Sequence, residues 1–289
     1  MTLKTVPASI AALLAASVLL AGCNDDSSGD AGGDKSSDAP TSASTGSSEG
    51  TSEGSSGSGS TGGDSTGELT AENFFDEVLD AQQAAGSFKG RATTSTAGTK
   101  MTIETEATYE NGKPLAHGKT TADSPQQLET VSASGVVYLK SAGLGVPAGK
   151  WLKIDSNDPA NKNNPFAALA AISDPETALR AMGDLDSLEL VGSEKVDGVE
   201  ADHYKAVMNT RSYAKVLGLP ADAAGTLPKT IPFDMWIDDE NRPVKYEVSL
   251  SVQGVTTSTS QTYYDYGTDV EVSVPKDSDT VPLSETGLG

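Results

Sequence analysis

Side chains that commonly do chemistry are scarce in this 289-residue chain, which has two histidines and one cysteine. His117 and His203 stand in strand-like stretches without a second metal ligand at a suitable spacing, so we expect ordinary surface or edge residues. The acidic group at 155–158 lacks the glycine and terminal glutamate of an EF-hand loop, which favours a solvated loop over a calcium site. We therefore expect no catalytic constellation, no enzyme activity, no metal and no other cofactor.

Two sequence motifs associated with catalysis and nucleotide binding occur in the N-terminal part of the chain. Segments 46–50, 50–54 and 63–67 match G-x-S-x-G, and segment 57–62 matches G-x-G-x-x-G. Both motifs work only at a turn between a strand and a helix, and no such elements flank these segments. We interpret the matches as products of a composition rich in glycine and serine.

The single cysteine lies at the end of a secretory signal. Lys4 precedes an apolar run at 8–21, which is shorter than the about 20 residues of a membrane-spanning helix. The run ends Leu20-Ala21-Gly22-Cys23, which resembles the bacterial lipobox. That resemblance implies a signal peptide at 1–22, cleavage before Cys23, and acylation (palmitate or a similar chain) of Cys23 on the extracytoplasmic face of the cell membrane. The alternative is an uncleaved short anchor with an incidental cysteine.

The segment that follows the cysteine has the composition of a tether. Residues 24–68 contain no aromatic or large aliphatic side chain, and nine acidic residues face one base, Lys35. Such a segment cannot bury enough apolar surface to offset the entropy of ordering it. We predict that residues 23–68 form a disordered acidic tether, and that residues 69–289 form one folded domain.

The charge of the chain excludes one large class of partners. The formal net charge is −21, and residues 69–289 alone carry −14. Binding to nucleic acid depends on basic groups that displace counterions from phosphates, and no such field exists here. We therefore expect no nucleic-acid partner.

Alternating apolar and polar residues predict β-strands in the folded domain. The pattern is clearest from Met101 to Tyr109, which Asn111-Gly112 follows as a hairpin-turn signal. The same alternation occurs at 233–237, 244–252 and 270–274, and the acidic segment 238–241 is expected to be a turn between strands. Strands with one polar face are typical of antiparallel sheets that are covered on one side.

Helix signals are fewer than strand signals. Thr70 is a candidate N-cap for a helix that ends at Gly86, and Leu69 and Phe74 are placed as a hydrophobic staple. In that helix Phe74, Val78, Ala81 and Ala85 recur at helical spacing. Short helices are predicted at 164–172, 174–182 and 211–217. Together these patterns predict an α+β fold, a long curved antiparallel sheet with a few helices packed on one side.

Several segments in order along the chain have a family likeness. They are Tyr138-Leu139-Lys140, 150–154, 192–200 leading to Tyr204, 233–238 with Arg242-Pro243-Val244, and 264–267 before 270–275. In these segments the chain resembles the actinobacterial lipoproteins of the LppX, LprA, LprF and LprG type, which are related in fold to LolA-like carriers. The resemblance implies a half-barrel sheet with helices on its concave face. It also implies binding of acylated lipids or lipoglycans and their movement toward the outer cell envelope.

The candidate lipid site is defined by apolar residues on the alternating faces. These side chains would project between sheet and helices, where they either fill a core or line a cavity for acyl chains. The lining residues that we predict are Phe74, Val78, Met101, Ile103, Val136, Tyr138, Phe233, Met235, Val248 and Leu250.

Three functions remain open on the sequence. The first is a monomeric membrane-anchored lipid carrier, with an acylated lipid or glycolipid as its partner and an envelope transporter as a further possible partner. The second is a non-enzymatic interaction or structural module of the envelope, with a filled core and no lipid cargo. The third is a hydrolase of envelope glycolipids, which requires two close carboxylates or a Ser–His pair in a cleft.

Overall fold

The computed structural model describes residues 68–142, 144–155, 157–161, 185–210, 227–252 and 254–288. The signal peptide, Cys23, the tether and the short helices predicted at 164–172, 174–182 and 211–217 lie outside these residues. The described elements are α1 (Phe74–Ala85), β1 (Ser87–Thr96), β2 (Thr99–Glu110), β3 (Lys113–Thr120), β4 (Leu128–Ala133), β5 (Val136–Ser141), β6 (Trp151–Asp155), β7 (Leu185–Val196), β8 (Val199–Asn209), β9 (Thr230–Ile237), β10 (Pro243–Val252), β11 (Val255–Tyr264) and β12 (Thr280–Pro282).

All twelve strands belong to one sheet, in the order β12-β6-β5-β4-β3-β2-β1-β11-β10-β9-β8-β7. Every neighbouring pair is antiparallel except β12 and β6, which pair in parallel at one edge. The sheet is open, because β12 and β7 each pair with one strand only. The predicted large antiparallel sheet is therefore confirmed, with one parallel pair added at an edge, and it is consistent with a half-barrel.

The sheet is built mainly from hairpins, and the sequence identified two of their turns. Asn111 and Gly112 connect β2 to β3 with φ of 54° and 73°, the left-handed conformation that Asn-Gly favours in two-residue hairpins. The acidic turn between β9 and β10 is also confirmed. There Asp238 accepts hydrogen bonds from the backbone N–H groups of Glu240 and Arg242 at 3.0 and 2.8 Å.

The predicted N-terminal helix is present but begins later than expected. Thr70 shapes the turn before it, because its hydroxyl accepts from the Asn73 N–H at 3.3 Å, and α1 starts at Phe74. Gly86 ends α1 as predicted, in a left-handed conformation with φ of 76°. The buried side of α1 also differs from the prediction, since Phe75 and Leu79 are buried where Ala81 and Ala85 were expected.

Two strand predictions were wrong in detail. The alternating segment 270–274 forms no strand, because β11 already pairs with β1 and β10 and the chain must leave it to reach the far edge at β12. A register shift between Pro243 and Lys245 separates Val244 from the face of Val248 and Leu250. As a result, Val244 packs with Trp236 and Ala201 in a separate cluster.

Candidate functional site

The site is one face of the sheet, the face that α1 covers, which we call the inner face. Residues opposite each other on neighbouring strands share a face, so the strand register divides the sheet into transverse rows. One row runs across seven strands and consists of Leu188, Ala206, Phe233, Val248, Thr259, Thr94 and Met101. The next row consists of Leu190, Tyr204, Met235, Tyr246, Gln261, Ala92 and Ile103.

Under α1 the inner face is a filled core. Phe74 and Met235 are fully buried, and Val78 and Phe233 are 2% and 4% exposed. Phe74 packs against Phe75 edge to face at 5.5 Å and against Tyr204 at 5.8 Å, while Phe75 stacks on Phe233 at 6.2 Å. In this region the side chains pack against one another, and four of the predicted lining residues belong to that core cluster.

Beyond α1, toward the ends of the strands where β2 begins and β10 ends, the inner face stays largely apolar and its exposure varies, since Thr94 and Thr259 are 3% and 2% exposed. Met101, Ile103, Val248 and Leu250 are half-buried. Threonines lie between them, and these pair with each other: Thr94 and Thr259 share a hydrogen bond of 3.0 Å, as do Thr96 and Thr257. Because the hydroxyls satisfy one another, they leave this surface able to accept an apolar group. We call these four apolar residues the open inner patch.

Two of the predicted lining residues lie elsewhere. Val137 shares a row with Ala107 and Ala116 of the core, and it packs with Leu139, Leu152 and Ile154 on the inner side. Val136 and Tyr138 alternate with Val137 along β5 and therefore point to the opposite, outer face. The two predicted lining residues of β5 therefore lie on the face opposite to Val137 and Leu139.

Two tyrosines lie at the base of the core, Tyr263, which is buried, and Tyr266, which is half-buried. Tyr263 and Tyr266 flank Phe88, each with its ring centroid 5.8 Å from that of Phe88. The Tyr266 hydroxyl donates to the Pro243 carbonyl at 2.7 Å, whereas the Tyr263 hydroxyl has no hydrogen-bond partner among the described residues. Burial raises the pKa of both phenols well above the usual value, because it disfavours the charged phenolate.

The outer face carries the histidines, and neither is an ordinary surface residue. The His203 ring stacks on Trp236 at 4.3 Å and bonds to the Asp234 carboxylate at 2.7 Å, on strands inside the sheet. Lys245 lies over Trp236 at 4.5 Å from its centroid, and the Trp236 indole N–H donates to Glu194 at 2.6 Å. His117 bonds to Glu129 at 3.0 Å on the next strand. Both histidines thus hold neighbouring strands together.

Grooves on the described surface have mixed linings. One of about 510 Å³ lies over β10 and β11 and is lined largely by hydroxyls such as those of Ser249, Ser258 and Ser260. Another, of about 520 Å³, lies at the ends of β3 to β6 and brings Lys119, Lys140 and Lys150 together. Nothing in the sequence indicated this lysine groove, because Lys119 and Lys150 are more than 30 residues apart in the chain.

Within the described ranges, no three acidic, histidine or cysteine side chains are grouped so that they could hold a metal ion. No helix in that same part of the chain has the length and apolar character needed to cross a membrane.

Comparison with known proteins gives relatives of low identity. No family model matches the chain. A curated relative, an uncharacterized 31.2 kDa protein in the rplA-rplJ intergenic region of Streptomyces griseus, is 30% identical over 124 residues. This match covers 39% of the present chain, and the chain spans only 40% of the relative's length.

Solved structures with a similar arrangement include two mycobacterial lipoproteins. LppX of Mycobacterium tuberculosis is 16% identical, with a TM-score of 0.45 over 69% of this chain and 96% of LppX. LprF of Mycobacterium bovis is 17% identical, with a TM-score of 0.42 over 69% of this chain and 95% of LprF. The structural neighbours of the chain thus include lipoproteins of the LppX and LprF type, the group that its sequence resembles.

Proposed function

We propose that this protein is a lipid-anchored carrier, without enzyme activity, that holds the acyl chains of an envelope lipid on its inner face. The observation that carries the proposal is the open inner patch, where the apolar face continues past the core that α1 fills. The acyl chains lie across Met101, Ile103, Val248 and Leu250, and the polar head group remains toward solvent.

Burial of apolar surface provides the energy for this binding. Each methylene that leaves water contributes about 0.8 kcal/mol. The patch presents few polar groups that a chain would leave unsatisfied, because Thr94 pairs with Thr259 and Thr96 with Thr257. A sheet with apolar side chains and paired hydroxyls therefore suits a long, non-directional apolar ligand better than a compact polar substrate.

The anchor and tether determine where the carrier works. Acylation of Cys23 holds the protein on the outer surface of the cytoplasmic membrane, since two or more acyl chains anchor far more firmly than one. The acidic tether at 24–68 lets the domain at 69–289 move between the membrane and the outer envelope. The cargo is an acylated lipid or lipoglycan that passes from the bilayer to the protein.

A second candidate is an interaction module of the envelope that carries no lipid. The packed core under α1 favours it, because Phe74 and Met235 are fully buried in one cluster of side chains on the inner face. The two candidates differ in what contacts the open inner patch, which is an acyl chain in a carrier and protein side chains in a module.

Photo-crosslinking of the full-length acylated protein distinguishes these candidates. A phospholipid with a photoactivatable group in one acyl chain is supplied to membranes that contain the protein, and crosslinked peptides are mapped by mass spectrometry. We expect crosslinks in the peptides of β2 and β10 that contain Met101, Ile103, Val248 or Leu250. Crosslinks confined to the peptide that carries Cys23 would contradict the carrier function.

A matched pair of variants tests the inner face directly. Leu250→Glu places a charge on the open inner patch, whereas Ser249→Glu places the same charge on the exposed outer side of the same strand. We expect Leu250→Glu to reduce crosslinking to β2 and β10 at least about tenfold, because a carboxylate is poorly tolerated against an acyl chain. Thermal unfolding of both variants checks that they fold, and equal crosslinking in both would overturn the proposal.

A further inference from the structure

Three lysines converge at one end of the sheet, away from the open inner patch. Lys119 and Lys140 each lie one residue before the end of their strands, β3 and β5, and Lys150 directly precedes β6. Antiparallel pairing of β3, β4, β5 and β6 brings these positions to the rim of one groove of about 520 Å³. The lining of this groove holds three lysines and one acidic residue, Glu129, in a domain with a net charge of −14.

The charge of the groove is only partly neutralised. Lys119 and Lys140 have no carboxylate within 4.0 Å among the residues that the structure describes. Lys150 donates to the Ser278 carbonyl and lies 3.8 Å from Asp279. Glu129, the one acidic residue in the lining, is already bonded to His117 at 3.0 Å. Lys119 and Lys140 are therefore available to an anion, and Lys150 beside them is neutralised only in part, by a carboxylate 3.8 Å away.

The remaining lining of the groove is apolar. Leu128 is buried, Val146 is half-buried, and Pro147 and Ala148 complete that side. The Lys140 ammonium lies 5.1 Å from the centroid of the Trp151 ring, which positions it by a cation–π contact on the outer face. A site with ammonium groups at its rim and an apolar wall fits an amphiphile with an anionic head better than a fully solvated ion.

We infer that this lysine groove binds the phosphate group of an anionic phospholipid in the membrane to which the protein is attached. The ammonium groups of Lys119, Lys140 and Lys150 contact the phosphate, and Leu128 and Val146 contact the glycerol and upper acyl region. The rest of the domain is acidic and is repelled by anionic lipid, so this contact gives the domain one preferred orientation at the bilayer. The inference rests on the proposed lipid anchor at Cys23, but it goes beyond cargo binding and does not require the open inner patch to be occupied.

Lysine labelling of the full-length acylated protein tests the inference. The protein is reconstituted in vesicles of phosphatidylcholine alone or with phosphatidylglycerol, so that the anchor inserts equally in both. An amine-reactive reagent is applied briefly, and its rate of reaction at each lysine is read by mass spectrometry. We expect phosphatidylglycerol to slow labelling of Lys119, Lys140 and Lys150 several-fold relative to Lys195, an exposed lysine at the β7–β8 hairpin.

A third sample, with phosphatidylcholine vesicles and inorganic phosphate in solution, separates the two sources of a phosphate group. Protection by inorganic phosphate equal to that by phosphatidylglycerol would contradict a lipid site. Equal slowing at Lys195 would show general attraction of lysines to the anionic surface and would also overturn the inference. Unchanged labelling at all four lysines would do the same. None of these results bears on crosslinking at β2 and β10, so the two proposals fail independently.

Single substitutions give a quantitative check. With Lys140→Gln, we expect half-protection of Lys150 to need about fivefold more phosphatidylglycerol, the usual contribution of one lysine near an anionic bilayer. Lys195→Gln removes the same charge at the hairpin and leaves the requirement unchanged. An equal effect of the two substitutions would reject the groove as the site of contact.

Discussion

Two tyrosines in the core differ in the hydrogen bonding of their hydroxyl groups. Tyr263 and Tyr266 contact the same Phe88 ring, yet only the Tyr266 hydroxyl has a described hydrogen-bond acceptor. A buried hydroxyl without a partner costs free energy, whereas a bonded one contributes about 1 kcal/mol. The two tyrosines therefore form a natural pair for measuring what a hydroxyl contributes at this position.

We expect Tyr263→Phe to leave the free energy of unfolding unchanged or to raise it by about 1 kcal/mol, because the substitution removes an unpaired buried hydroxyl. Tyr266→Phe should lower the free energy of unfolding by about 1 to 2 kcal/mol, because the Pro243 carbonyl loses its donor. Urea unfolding followed by circular dichroism measures both. A larger loss for Tyr263→Phe than for Tyr266→Phe would contradict the assignment of their hydrogen bonds.

Residue-scale features were the hardest to predict. The sequence identified Val136 and Tyr138 as candidates for the lipid-facing side, but the alternation along a strand does not say which of its two faces is covered. In β5 both faces bear apolar residues, and only the register with β4 and β6 shows that Val137 and Leu139 face inward. For the same reason the sequence did not predict that His203 stacks on Trp236, because the two residues are 33 positions apart and alternation does not show that they share a face.

At the scale of elements, the turn between β9 and β10 is held by one carboxylate. Asp238 accepts from two backbone N–H groups and from the Arg242 guanidinium, whose Nε lies 2.8 Å from Oδ2. Burial is the largest single influence on the pKa of Arg242, and it lowers that pKa. The hydrogen bond to Asp238 and the negative charge of its carboxylate together outweigh burial, so the pKa of Arg242 is raised. The turn therefore depends on Asp238 far more than its short acidic sequence suggests.

Substitution of Asp238 by alanine should lower the free energy of unfolding by about 3 kcal/mol, since it breaks charge-assisted and backbone hydrogen bonds together. Asp238→Asn keeps an oxygen acceptor for the backbone and should lose less. The neighbouring Asp239 is exposed, so Asp239→Ala should change stability by no more than about 0.5 kcal/mol. Chemical denaturation of the three variants is the measurement, and equal losses at 238 and 239 would refute this role.

The edge strand β7 carries features that disfavour pairing with a further strand. Among the described strands β7 pairs with β8 alone, and Leu190 and Val191 are 55% and 49% exposed. Register shifts after Leu185 and after Leu190 interrupt its ladder, and bulges of this kind disfavour the addition of another strand. Acidic side chains along β7 add repulsion between copies of the chain.

At the scale of the whole molecule, the buried phenols connect stability to pH. Burial raises the pKa of Tyr263 and Tyr266 in the folded state above the value of about 10 expected in the unfolded chain. A group of this kind contributes fully to stability below the unfolded pKa. Its contribution is lost as the pH rises from there toward the folded pKa, because the unfolded state ionises first.

We therefore expect the urea midpoint to be flat with pH through neutrality and to fall above pH about 10. Tyrosinate absorbance should show the buried phenols ionising only as the protein unfolds. Tyr263→Phe should weaken the alkaline fall, whereas Tyr264→Phe, at an exposed position, should not. Ionisation of Tyr263 in the intact folded protein would contradict its burial.

The sequence alone determined the class of the fold. Alternation at 101–109, Asn111-Gly112 and the acidic turn at 238 each depend on neighbours in the chain, and the structure confirms all three. The α1 helix was also predictable, because its stop at Gly86 and its buried Phe74 and Val78 are local features.

Only the tertiary structure determined which strands are neighbours in the sheet and which residues therefore lie close together. The order of the strands places β1 beside β11 and β6 beside β12, pairings between segments more than 100 residues apart that no local pattern records. The open inner patch depends on that order, because it collects residues of β2 and β10, which are distant in sequence. Local patterns fix which residues alternate, whereas the cross-strand register fixes which face they share and what they meet there.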